Sequence, residues 1–291
     1  MTMQTAILLI KIVASGAPQG LASAARDAEA PRTAASADSL SIVFLANAGV
    51  LIEAGARKVL VDALYGEGLN YLRMVTPSVR ERLEKALPPF DGAALILATH
   101  THRDHFNAEA VAGYLRASPT TSFISTPEAA EAVSALQPPI AAGRIHASAP
   151  ADSNYLAGSA PGVTVRVLGL PHGPTSVPAR NVGFLIAIGG FTVLHIGDTR
   201  VDAALLGRLT APAVDLAFIP YWYFLDPAGE EAVVRALPGA QIVLMHVPPT
   251  ESDYVKSRGG WHTLLSGIRT RHPNVTDFGA ELERRTVRKS P

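Results

Sequence analysis

The sequence predicts a layered α/β fold, with two β-sheets in the middle and helices on the outside (αββα). Three observations predict it. The part that begins at Leu40 opens with short strand-type runs. Its second half alternates helix-type and strand-type segments, an arrangement that packs as helices against sheets. The chain has 291 residues, of which 48% are hydrophobic and 17% charged, enough to enclose a large core.

The first residues stand apart. Ala6 to Ile10 is apolar and is continued by Ile12, Val13 and Ala14. Gly16, Pro18, Gly20 and the small-x-small tripeptide Ala22-Ser23-Ala24 follow. This is the layout of an export signal, yet no Lys or Arg precedes the run and Lys11 interrupts it. Residues 1–37 are therefore read as either a signal peptide and linker or a tail, and 38–291 as one domain. The first alternative places the domain in the periplasm or outside the cell, the second in the cytoplasm. The run is too short for a transmembrane helix, which needs ~20 apolar residues.

Within the domain, 40–45, 49–53 and 58–61 read as a β-meander broken at Asn47-Ala48-Gly49 and Ala54-Gly55. Residues 77–87 read as a helix. Ala93 to Ala98 is a continuous apolar run, as in a strand buried on both faces. Residues 108–115 read as a helix capped by Asn107. Strands are expected at 121–124, 163–168, 182–188 and 191–196, with Gly189-Gly190 as a hairpin turn. A helix at 202–209, a strand at 214–219, a helix at 230–237 and a strand at 242–245 complete the pattern. Residues 138–159, rich in Ala, Gly and Pro, read as a loop.

Composition narrows the chemistry. Lys plus Arg and Asp plus Glu both number 25, so net charge gives no general attraction to nucleic acid. The partner expected is a small-molecule substrate; oligomeric state is not legible. There is no cysteine, which excludes thiolate ligands and nucleophiles and leaves nitrogen and oxygen donors for any metal.

The decisive segment is Thr99-His100-Thr101-His102-Arg103-Asp104-His105, directly after the apolar strand. Residues two apart on an extended chain point the same way, so His100 and His102 project together. Asp104 and His105 follow where the chain turns. Such a density of titratable groups beside a buried strand is costly unless something satisfies them. Imidazole and carboxylate together suit zinc, iron or manganese.

This segment resembles the His-x-His-x-Asp-His signature of the metallo-β-lactamase superfamily. Later pieces match its order: Pro171-His172-Gly173, then Gly197-Asp198-Thr199, then Met245-His246-Val247, with Val61-Asp62-Ala63 as the early Asp. Residues 46–52, the hairpin before Asp198 and Ala217-Phe218-Ile219-Pro220 look most like the branch of ascorbate-6-phosphate lactonase-like hydrolases. The resemblance implies an αββα sandwich of that type and two divalent metal ions, zinc first and manganese or iron next. It implies that His100, His102 and His172 hold one, Asp104, His105 and His246 the other, and that Asp198 bridges them. Asp62 then supports the site from outside; His195, two residues before Gly197 on an expected strand, reads as structural or as a second support of the site. A water between the cations loses a proton near neutral pH and attacks a small ester, lactone or phosphoester, with Asp104 and Asp198 as the catalytic carboxylates. Arg103, Tyr221, Trp222 and Tyr223 are candidates for the substrate pocket; Arg103 also reads as a solvated loop residue, and the aromatics equally as packing.

Two other classes compete. One is a mononuclear iron oxidoreductase of the same fold, which the full ligand set opposes. The other is a non-catalytic metal-binding module, which loss of ligands would signal, and none is missing. His146, His262 and His272 lack motif support and read as surface or core residues.

Overall fold

Two seven-stranded sheets face each other in the computed structural model, which describes residues 37–66, 68–69, 72–148, 155–160, 162–173, 179–207 and 213–289. The export-signal and linker reading over 1–37 lies outside the described residues except for Ala37, whose N–H donates to the Gly189 carbonyl. Among the described residues no helix is long and apolar enough to cross a membrane.

In the first sheet β1 (Leu40–Phe44), β2 (Val50–Ala54) and β3 (Arg57–Val61) form the expected antiparallel meander. β4 (Leu95–Leu97), β5 (Ser122–Ser125) and β6 (Ile145–Ala147) add in parallel, and β14 (Arg284–Val287) covers the free side of β1. In the second sheet β7 (Tyr155–Ala160), β8 (Val163–Pro171), β9 (Arg180–Ile188) and β10 (Phe191–His195) are antiparallel. β11 (Leu216–Pro220), β12 (Gln241–Met245) and β13 (Val275–Asp277) continue it in parallel.

The meander supplies two cores at once because successive side chains alternate faces. Val50, Ile52, Val59 and Val61 point inward to Val165, Phe184, Ile186 and Val193 of the second sheet. Leu51 and Leu60 point outward with Ile96 and Phe123. There they meet α1 (Pro77–Glu84), α2 (Ala108–Ala117) and α3 (Pro127–Ser134) through Leu83, Val111, Tyr114, Leu115 and Val133. Behind the second sheet lie α4 (Ala203–Gly207), α5 (Pro227–Ala236), α6 (Asp253–Lys256) and α7 (Gly260–Arg271); Val233, Trp261 and Ile268 belong to the same continuous buried cluster as that sheet's strands.

Several expectations need correction. The helix expected over 77–87 stops at Glu84 because Ala86 turns left-handed (φ 50°), and Leu87 N–H donates back to Arg82 at 2.8 Å, a common helix terminus. The loop expected over 138–159 contains β6 and all but the last residue of β7. Their partners β5 and β8 impose the strands on a segment with little strand propensity of its own. Helix α3 was not expected, although Thr126 caps it and Pro127 starts it. The C-terminal α6, α7, β13 and β14 were also unassigned. Asn107 does cap α2, accepting from Ala110 N–H at 2.9 Å.

Candidate metal centre

The C-terminal ends of β3, β4, β8, β10 and β12 come together at one edge of the sandwich. Asp62 follows β3, Thr99 to His105 follow β4, His172 follows β8, Asp198 follows β10 and His246 follows β12. Parallel neighbours β3 and β4 bring Asp62 beneath the histidine segment, and parallel β10, β11 and β12 bring His246 beside Asp198.

The turns that aim these side chains are strained. Asp62 and His246 adopt left-handed backbone at φ 48° and 62°, a cost of about 1–3 kcal/mol each. Hydrogen bonds hold both, from Asp62 N to Leu97 O at 2.9 Å and from His246 N to Asn47 O at 3.0 Å. Gly197 is also left-handed at φ 56°. A Cβ there would lie 2.4 Å from Asn181 Oδ1 and 2.7 Å from Thr99 Cβ, so only glycine lets Asp198 follow.

Two four-residue groups result, His100–His102–His172–Asp198 and Asp104–His105–Asp198–His246, each with its donor atoms within 4.8 Å of one another. Asp198 belongs to both and divides its oxygens between them. Its Oδ2 lies 3.9 Å from His100 Nε2 and 3.8 Å from His172 Nε2. Its Oδ1 lies 3.3 Å from His105 Nε2 and 2.7 Å from His246 Nε2. His105 Nε2 is also 3.3 Å from Asp104 Oδ2.

Buried polar atoms ordinarily find partners, and here several do not. His100 Nε2, both ring nitrogens of His172 and Asp198 Oδ1 are buried without a hydrogen bond. The 2.7 Å approach of His246 to Asp198 thus lacks hydrogen-bond geometry, as when two lone pairs are aimed at a common point. An all-nitrogen-and-oxygen donor set with these orphaned atoms fits divalent cations.

Electrostatics agrees with that fit. Burial, then the neighbouring imidazoles, keep His100 well below the ordinary imidazole value, and His102 and His172 are lowered mainly by burial as well. Neutral rings are the form that coordinates. Burial opposes charge on Asp198 and Asp104, yet the imidazoles of His246 and His105 outweigh it and hold both carboxyls low. Burial likewise opposes charge on His105, but Asp198, Asp62 and Asp104 push it well above the usual value. Three carboxylates around one ring demand positive charge, which a proton on His105 or a divalent cation supplies.

Asp62 is fully buried and accepts from Thr99 N at 2.7 Å, Thr99 Oγ1 at 2.8 Å and His105 Nδ1 at 2.7 Å. That commits Nδ1–H and leaves Nε2 as the ring atom open to a cation. Among the described residues, no hydrogen bond or ion pair joins His195 to the cluster. Its Nε2–H donates to Ala48 O at 3.0 Å and its Nδ1 accepts from Gly197 N–H at 3.3 Å, so it ties the sheets together below the site. Burial keeps it neutral.

The pocket candidates divide. The Trp222 ring lies 5.3 Å from the His246 ring, held by its indole N–H to Thr199 O at 3.1 Å, and Tyr221 packs edge-on against it. Tyr223 is corrected: it is fully buried, its hydroxyl bonded to the Arg200 carbonyl, and it supports the loop from below. Arg103 is exposed, and its carbonyl accepts from Gly66 N–H. His146 lies on β6, His262 on exposed α7 surface, and His272 pairs with Glu230 at 2.7 Å.

Two residues that the sequence did not single out for the site serve it. Asn181 donates to Leu170 O, Ile196 O and Thr199 Oγ1 and accepts from Asp198 N, fixing the turn that carries Asp198. Asn47 reaches Asp104 and His246 from the β1–β2 turn. A polar residue opening the apolar run of β9 was a signal for the first; Asn47 read only as a turn residue.

A family model described as β-lactamase superfamily domain matches residues 57–247. A protein named UPF0173 metal-dependent hydrolase from Pelotomaculum thermopropionicum is 26% identical over 222 residues, 71% of this chain and 84% of that protein. A solved structure of a possible metal-dependent hydrolase from Veillonella parvula is 18% identical, with 86% of this chain and 99% of that one covered and a TM-score of 0.57. Igni18, a metallo hydrolase from Ignicoccus hospitalis, is 17% identical, with 87% and 100% covered and a TM-score of 0.55. The two structural likenesses concern the fold.

Proposed function

Because the chain belongs to the metallo-β-lactamase superfamily, we propose that it is a metal-dependent hydrolase acting on a small ester, lactone or phosphoester at a two-cation centre. One observation carries this reading: Asp198 gives one oxygen to each of two complete donor groups. His100, His102 and His172 would hold one cation and Asp104, His105 and His246 the other. Such a pair supplies Lewis acidity and lowers the pKa of a water from 15.7 to about 7.

The remaining work falls to the protein. Asp62 fixes His105, and Asn181 with Gly197 fixes Asp198. Asp104, whose side chain is partly exposed beside His105, would be the carboxylate available to hold and pass a proton during hydrolysis. Trp222 offers an aromatic wall beside His246 for the substrate body.

The test is elemental analysis of the full chain after incubation with zinc or manganese and desalting. Hydrolysis of p-nitrophenyl acetate, a thiolactone and bis-p-nitrophenyl phosphate is assayed in parallel. Two ions per chain are expected. Asp198→Ala should lose at least one of them and roughly a hundredfold or more of the rate. Full metal content with an unchanged rate in that variant would refute the bridged centre, and a single iron with no hydrolysis would refute the hydrolase.

A further inference from the structure

Asn47 is 2% exposed and sits in the turn between β1 and β2, 57 positions before Asp104 in sequence. Its Nδ2 donates to Asp104 Oδ2 at 2.9 Å. The same nitrogen lies 2.8 Å from His246 Nδ1 and 3.1 Å from His246 Nε2. Its backbone carbonyl accepts from His246 N–H at 3.0 Å, and this bond secures the left-handed residue that ends β12. Its Oδ1 is buried without a partner, so the amide is oriented by Asp104 and His246 alone.

We propose that Asn47 is a positioning residue that sets the spacing between Asp104 and His246, and so the affinity of one of the two donor groups but not of the other. The inference rests on the two-cation reading above. Asp104 and His246 come from different sheets; His105, with Nε2 3.3 Å from Asp104 Oδ2 and 2.9 Å from His246 Nε2, and Asp198 are fellow donors between them, whereas Asn47 spans them without belonging to either donor group. His246 Nε2 is 3.8 Å from Asp104 Oδ2, and the amide is wedged between the two. The donor groups differ in this respect. Among the described residues, the Asn47 side chain hydrogen-bonds Asp104 and His246 and none of His100, His102 and His172. An uncharged donor suits the place: a carboxylate there would face Asp104 with like charge, and an apolar side chain would leave Asp104 Oδ2 without this hydrogen bond.

Zinc titration by calorimetry into metal-stripped protein separates the outcomes, with thermal melting of the stripped protein alongside. Wild type is expected to bind two ions. Asn47→Ala should weaken one dissociation constant by about 10–100-fold and leave the other within about threefold, while the stripped variant still melts cooperatively, which shows that it is folded. Asn47→Asp, which keeps the shape but not the donor, should weaken the same constant. Two unchanged constants in Asn47→Ala, equal weakening of both, or wild-type or tighter binding in Asn47→Asp would each overturn the assignment. Wild type that fails to take two ions would overturn the two-cation reading itself, and this inference with it.

Discussion

At the scale of single residues, the site is held by groups that never need to touch a cation. Asp62 is the clearest. Its two oxygens accept three buried donors, and the amide of an Asp62→Asn variant would keep only one acceptor oxygen. Stranding one or more buried donors costs about 1–3 kcal/mol apiece. Asp62→Asn should therefore lower the unfolding free energy by roughly 2–4 kcal/mol in urea and weaken zinc by about 10–100-fold in chelator competition. Unchanged values in both assays would contradict the role. Residue types in a fixed order made the seven donors and Asp62 legible, because motif spacing survives in the linear sequence. Asn47 and Asn181 were not legible, since their importance lies in pairings with Asp104, His246 and Asp198, 57, 199 and 17 positions away.

The elements reached their places by rules of different reach. The meander and the helix after Asn107 follow from local periodicity and capping, and the sequence shows both. β6, β7 and the C-terminal strands are imposed by neighbours, and Ala- and Gly-rich segments such as 155–160 carry no pattern that distinguishes strand from loop. The turn after β10 shows how one residue can decide an element. Gly197→Ala would force a side chain into left-handed backbone and against Asn181 and Thr99. It should cost about 2 kcal/mol or more in chemical denaturation and reduce the bound metal, because Asp198 rides on that turn. A variant of full stability and metal content would show that the turn relaxes freely.

For the molecule as a whole, tyrosine burial sets an alkaline limit. Tyr65 and Tyr114 are raised to about 12 from 10.0 by burial, and Tyr223 is raised further for the same reason. A group whose value is higher in the folded state gives stability that is intact below its unfolded value and is lost as pH rises through the folded one. The melting temperature should thus be insensitive to these tyrosines up to about pH 10 and fall between about 10 and 12, by roughly 2–3 kcal/mol of stability for each. The Tyr114→Phe variant should flatten that fall, and an identical profile would refute it. The layered architecture was readable from the alternation of segments, whereas the pairing of β14 with β1 joins the two ends of the domain and no local signal announces it. The sharing of Asp198 has one more consequence, for the order of events as the chain is made. Each donor group draws members from segments that leave both sheets. Neither sheet carries a complete set by itself. If cations fill both groups, the complete sets form only once the sheets have docked, so a metal would seal this fold rather than seed it.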